Sequence, residues 1–327
     1  MVPFEYIAPD SLQNCVKALG AKSGQAAVLA GGTDLLSLMK ERIEKPTRVV
    51  SLRNVDEVRG IAKGSGGLRI GAAARVEDLL DNEQVASDYP SLKQAAEGIT
   101  SPQVRAMGTV GGDLLQRPRC WYFRNGFGLL AMHDGKSLVP GGENRYHAIL
   151  GNKGPAYFVS ASSFAPALIA LGAQAKLMGP DGERTIPVEE LYRIPSGGDE
   201  RETTLQPNEI LAEILVPAEA KTNATYEVRQ HTLLDWPLTT ASVALKMSGD
   251  TVEEAVVVMG HVAPKPWRSS EAENALKGKR LSEAVAAEAA KAAVSAATPL
   301  SQNKYKVQLA KVAVERALLR AAGKEAA

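Results

Sequence analysis

Two paired-glycine segments constrain this chain more than any other feature of its sequence. The first, Leu29-Ala30-Gly31-Gly32-Thr33-Asp34-Leu35, overlaps the end of a short apolar run, Ala26 to Ala30, that reads as a strand. Adjacent glycines let the backbone turn sharply and approach an anion closely, with N–H groups free to donate. Thr33 adds a hydroxyl, and the start of the helix expected from Leu35 to Arg42 favours negative charge. The second, Thr109-Val110-Gly111-Gly112-Asp113, repeats the recipe of paired glycines beside a hydroxyl and a short polar side chain. Either segment alone reads equally well as a tight turn that needs glycine only for its conformation. Together they suggest two loops converging on one pyrophosphate. Neither is a Rossmann fingerprint or a Walker loop, since no G-x-G-x-x-G and no Gly-Lys-Ser/Thr ending occurs in them.

Around these segments the pattern alternates short strands and helices. Val2 to Ile7, a helix from Ser11 to Leu19, Ala26 to Ala30 and Thr47 to Leu52 form a small βαβ-like opening. A second unit starts near Val55, with a strand at Gly67 to Ala73 and helices beginning at Arg75 and Leu92. Residues 116 to 155 are the least regular, and a loop of that length in a compact protein is usually functional or an interface. Leu211 to Val216 reads as a strand, and the polar stretch Pro217 to Asn223 reads as a boundary. Beyond it, strands at Ala241 to Met247 and Val252 to His261 precede helices at Leu281 to Ala297 and Lys304 to Ala322.

Bulk properties exclude several classes. The 327 residues allow two or three units, each with its own core. With 38 basic and 37 acidic side chains the net charge is +1, which gives no reason to expect nucleic acid or a membrane surface as partner. No apolar run approaches the length of a membrane span, and Met1 to Asp10 lacks the pattern of a signal peptide. Cys15 and Cys120 make no disulfide framework, so a reducing, cytoplasmic compartment is expected unless a signal-bearing partner exports the chain. His133, His147, His231 and His261 show no metal-ligand spacing, and no nucleophile–base–acid pattern stands out. Neither a metal site nor a catalytic residue is therefore expected in this chain.

Further motifs fall in a specific order. Ser101-Pro102-Gln103-Val104-Arg105 precedes the second glycine pair, Glu209-Ile210-Leu211 opens a strand, and Gly260-His261-Val262-Ala263-Pro264-Lys265-Pro266-Trp267-Arg268 follows. In this order they resemble the FAD-binding (medium) subunits of the xanthine dehydrogenase, aldehyde oxidoreductase and carbon monoxide dehydrogenase family of molybdenum hydroxylases. The resemblance covers essentially the whole chain. It implies an α+β fold, with a two-lobed PCMH-type FAD-binding domain at residues 1–221 (lobes about 1–55 and 56–221). A C-terminal domain at 222–327 would carry a three-stranded antiparallel sheet and helices.

The resemblance also implies site residues. Leu29, Ala30, Gly31, Gly32, Thr33, Asp34 and Leu35, with Thr109, Gly111, Gly112 and Asp113, would hold the FAD phosphates and ribityl chain. Leu211 falls where an apolar residue meets the ring system. Arg229, in Val228-Arg229-Gln230, falls where a basic residue reaches the flavin, although a surface ion pair is an equal reading. Ile99 and Gln103 are weaker candidates. Ser163 stands where many relatives have an Asp, so a hydroxyl would replace a carboxylate at the ribose or adenine. Asp113 stands where Asn is common, and as an acceptor it is not expected to touch phosphate directly. Arg119-Cys120-Trp121-Tyr122-Phe123 resembles the start of a loop that holds a [4Fe–4S] cluster in some relatives. Residues 121 to 155 contain no cysteine, however, so that loop is expected without its metal. Trp121, Tyr122, Phe123 and Phe127 read as local packing in preference to a partner contact or flavin cover.

By the same resemblance, a large molybdopterin-binding subunit and a small [2Fe–2S] subunit are the partners. FAD would pass electrons to an external acceptor. Two alternatives remain at this level: a stand-alone FAD oxidase of the two-lobed superfamily, and a flavin-free scaffold subunit.

Overall fold

The computed structural model describes residues 1–64, 66–218, 221–231 and 235–324. Three larger sheets and one two-stranded hairpin, Met132–His133 with Lys136–Ser137, occur among the described residues. Glu5–Ile7, Arg48–Ser51 and Ala26–Leu29 form a parallel sheet with Arg48–Ser51 in the centre. The helix Leu12–Ala18, capped by the Ser11 hydroxyl, lays Leu12, Cys15 and Val16 on this sheet. Cys15 is a core residue, and burial pushes its thiol up to about 11.

The second sheet is antiparallel, in the order Ile61–Gly64, Gly67–Gly71, Ile210–Pro217, Gln174–Gly179, Gly182–Pro187. Its central strand serves two cores. Ile210 and Ala212 pack into the first lobe, while Leu211, Ile214 and Val216 pack into the second. Plain alternation cannot put 211, 214 and 216 on one face, so the strand needs one extra residue. The register against Gln174–Gly179 shifts between Leu211 and Glu213, which supplies it.

The C-terminal unit pairs Thr222–Val228, Thr239–Ser248 and Thr251–Gly260, with Trp267–Arg268 added at one edge. The sheet therefore has four strands, not the three expected, the fourth being two residues long. Helices Ser270–Leu276, Glu283–Ala293 and Tyr305–Ala321 cover it through alanines that allow close approach. Thr222–Val228 begins inside the stretch read as a boundary. Its Asn223 is buried because its side chain accepts from Ser91 N–H and donates to Asp88 and Lys221 carbonyls.

Residues 116 to 155 are mostly irregular but firmly anchored. Phe123, Leu129 and Leu130 share a small core with Leu38 of the first lobe and with Ala156 and Phe158. Lys306 of the last helix is buried, donating to the carbonyls of Tyr146, His147 and His261, and thereby ties this segment to the C-terminal unit. No helix among the described residues is long and apolar enough to cross a membrane.

Candidate functional site

A cleft of about 240 Å³ lies where the first lobe meets the second. Ala30 through Leu35 line one wall, Thr109, Gly111 and Gly112 another, and Leu211 is also part of the lining. Leu29 stands behind this wall, its side chain packed toward Gly32. The two walls touch. A Cβ on Gly31 would lie 1.8 Å from the Met107 carbonyl oxygen, so only glycine permits that approach. Gly32 needs its residue type for a different reason, since its φ is +76°.

The two glycine pairs differ in where their N–H groups go. Gly31, Gly32, Thr33, Asp34 and Leu35 donate to no protein acceptor among the described residues. Thr33 is exposed. Five successive donors facing a cleft form a concave site for anionic oxygen. In the second pair, Gly111 N–H donates to Ala72 O at 2.8 Å and Gly112 N–H to Thr109 Oγ1 at 3.1 Å. Thr109 to Leu114 is a capped helical turn, not the open loop its composition suggests. A Cβ on Gly111 would meet Ala72 Cβ and O at 2.8 Å, so this glycine permits close packing.

The carboxylates flanking the pairs are structural acceptors. Asp34 accepts Arg117 N–H and Arg124 Nη2–H, each at 2.9 Å, and lies 3.3 Å from Arg119 Nη2. The long irregular segment is thus fastened to the first glycine pair. Burial pulls the Arg119 guanidinium below the usual range, and Asp34 opposes that shift. Arg119 also stacks over the Trp236 ring, 4.5 Å from its centroid. Asp113 accepts from the Ser162 hydroxyl, from Ser163 and Phe164 N–H and from Gln116 Nε2. Burial raises its carboxyl, and these donors act in the other direction.

Six of the cofactor-binding candidates lie outside the cleft lining: Leu29, Ile99, Gln103, Asp113, Ser163 and Arg229. Asp113 faces the 162–164 segment, as an acceptor among protein donors. Ser163 is buried beside it, and its N–H serves Asp113 instead of presenting a hydroxyl to the cleft. Arg229 is mostly enclosed and pairs with Glu227 and the Gly98 carbonyl, so its ion pair is not a surface one. Ile99 and Gln103 are also apart from the lining, with the Ile99 carbonyl and the Gln103 amide engaged by Arg105 and Ser101; of these two, only Gln103 is exposed. Conversely, Glu44, Arg117, Arg201 and Gln206 line the cleft with no local motif to announce them.

Cys120 Sγ lies 3.2 Å from His147 Nε2. Burial raises the thiol and lowers the imidazole to about 4, so both are neutral near pH 7. Among the described residues no group of three or more His, Cys, Asp or Glu could hold a metal ion. Trp121 and Tyr122 pack edge-on or tilted against Tyr146, Phe127 and His147, which makes the aromatic cluster self-packed even though Phe127 is exposed.

Residues 2–219 match the model for the FAD binding domain in molybdopterin dehydrogenase, and 224–321 that for the CO dehydrogenase flavoprotein C-terminal domain. The chain is 31% identical to the carbon monoxide dehydrogenase medium chain of Hydrogenophaga pseudoflava, covering 97% of each. It is also 31% identical to the aldehyde oxidoreductase FAD-binding subunit PaoB of Escherichia coli, covering 88% of each. The carbon monoxide dehydrogenase structure from H. pseudoflava that lacks the Mo-pyranopterin moiety superposes with TM-score 0.77 at 30% identity over the full length of both chains. Quinoline 2-oxidoreductase from Pseudomonas putida 86 gives 0.76 at 26% identity, covering 98% of each. With an α+β fold, a glycine-lined cleft and both family models matched in order, the chain belongs to the FAD-binding subunits of the molybdenum hydroxylase family.

Proposed function

We propose that this chain carries one FAD along the interlobe cleft and acts as an electron-transfer subunit. It would accept electrons from [2Fe–2S] clusters on a small partner subunit, while a large molybdopterin subunit oxidises the substrate. An external acceptor would then take the electrons, and the isolated chain would be inactive on organic substrate. The observation that carries the reading is the run of five outward N–H groups from Gly31 to Leu35, in a chain matched along its length to FAD-binding subunits. These donors suit a pyrophosphate, which has anionic oxygens and no protons to give.

FAD, when bound, supplies redox chemistry that no side chain here can provide. The chain's own part is positioning. Gly31 lets the walls meet, Gly111 packs against Ala72, Asp34 ties the first loop to the Arg117 N–H and to the Arg119 and Arg124 guanidiniums, and Leu211 adds an apolar side chain to the lining. Thr33 offers a hydroxyl toward the phosphates or ribityl chain. Arg229 and Ser163 would act from behind these lining residues.

The test is a visible spectrum of the purified chain, with cofactor identification and iron analysis on one sample, followed by co-purification with the large and small subunits. Stoichiometric FAD without cluster iron, and assembly with both subunits, is the expected result. A folded chain that takes up no FAD, or that turns over an organic substrate alone, overturns it.

A further inference from the structure

The charges lining the cleft are unequally paired. Five charged side chains face it among the described residues: Asp34, Glu44, Arg117, Arg201 and Glu209. Four have close partners. Asp34 is held by Arg124 and the Arg117 N–H at 2.9 Å. Glu209 forms a two-point pair with Arg184 at 2.6 and 2.8 Å. Glu44 is in direct contact with Arg117, which also meets Glu202 at 2.6 Å.

Arg201 is the exception. Its nearest acid is Glu44 at 3.8 Å, beyond hydrogen-bond range, and that carboxylate is already committed to Arg117. No hydrogen bond from its guanidinium occurs among the described residues, and the side chain is 42% exposed, into the cleft. Burial and the neighbouring Arg117 charge pull its guanidinium below the usual range, against the opposing charges of Glu202 and Glu44. Such a cation, in a cleft whose other wall presents five free N–H donors, is complementary to a ligand with several negative charges.

Building on the FAD reading, we propose that Arg201 is a direct ligand of the pyrophosphate in the cofactor's ADP half, closing from the second lobe the anion site that Gly31 to Leu35 open from the first. Its planar fork suits two phosphate oxygens, which a lysine ammonium would meet only as a point charge.

The test uses the full chain stripped of flavin and titrated with FAD, ADP and riboflavin, for wild type, Arg201→Gln and Arg201→Lys. Arg201→Gln should weaken both FAD and ADP by roughly 10- to 100-fold, as loss of a hydrogen bond to a charged group does. Riboflavin, which has no phosphate, should bind as in wild type, and the salt dependence of FAD binding should become shallower. Arg201→Lys should recover part of the loss and remains informative if the Gln variant folds poorly. FAD and ADP affinities within twofold of wild type in Arg201→Gln, or an equal loss for riboflavin, overturn the assignment while the FAD reading stands. A wild-type chain that binds neither FAD nor ADP overturns the FAD reading and this assignment together.

Discussion

The two glycine pairs share a composition and divide the labour. Gly31-Gly32 leaves its own N–H groups and those of the next three residues unpaired at the cleft, while Gly111-Gly112 gives its N–H groups to Ala72 and Thr109. Their carboxylates diverge in the same way. Asp34 faces the arginines of the long segment, and Asp113 faces the backbone of 163–164. Identical local sequence logic thus yields a donor loop and a packing turn, and the neighbours decide which is which. Ala72 offers a carbonyl to Gly111, whereas Gly31 meets the Met107 carbonyl at its Cα, where no donor exists.

The sharpest way to break this comparison is Gly31→Val. Its new side chain would collide with Met107, so FAD affinity should fall more than about 100-fold while far-UV circular dichroism stays native. Retention of full flavin would show that the first loop is not the phosphate site. Asp34→Asn comes next. It removes the charge that the Arg119 and Arg124 guanidiniums share, and a loss of roughly tenfold in FAD affinity is expected by titration. Asp113→Ala should behave oppositely. Stranding buried donors costs about 1–3 kcal/mol in stability, read as a lower thermal midpoint, with FAD affinity changed less than about threefold at temperatures where the chain is folded. Equal effects of the two carboxylate variants on both readouts would erase the distinction.

Acid should produce the smallest effect. His147 and His261 are held neutral by burial at about 4 and about 3, below the ordinary value near 6.5. A depressed folded value means that the unfolded chain takes up protons first. The stability from these two groups is therefore complete above about pH 6.5 and is lost as pH falls toward 4. The thermal midpoint should drop over that window, and His147→Gln should flatten the drop. His147 lies in the segment whose arginines hold Asp34, so flavin retention should decline over the same window.

Glycine pairs, caps and strand turns are local signals, so both cleft walls and the order of elements were legible in the sequence. What was not legible depended on distant partners. Thr222–Val228 hides as a strand because Asn223 is made a core residue by Ser91 and Asp88, more than a hundred positions earlier. The short strand at Trp267–Arg268, which makes the C-terminal sheet four-stranded, pairs with only Val258 and Met259. The phase change at Ala212 appears only once two cores claim one strand. Nothing local marks Lys306 as a core residue, since the three carbonyls around its amine come from Tyr146, His147 and His261. Arg201 sits in a turn-rich stretch with no motif, and only the pairing of every other cleft charge sets it apart.

The contact between Gly31 and the Met107 carbonyl bears on kinetics as well as on shape. Where Gly31 lies so near the Met107 carbonyl that a single added carbon would collide, no hinge gap is left at that point for a cofactor to pass. Exchange of the bound molecule would then proceed lengthwise, one phosphate contact after another, so its off-rate would follow the number of anion contacts and the ionic strength more than any opening of the lobes.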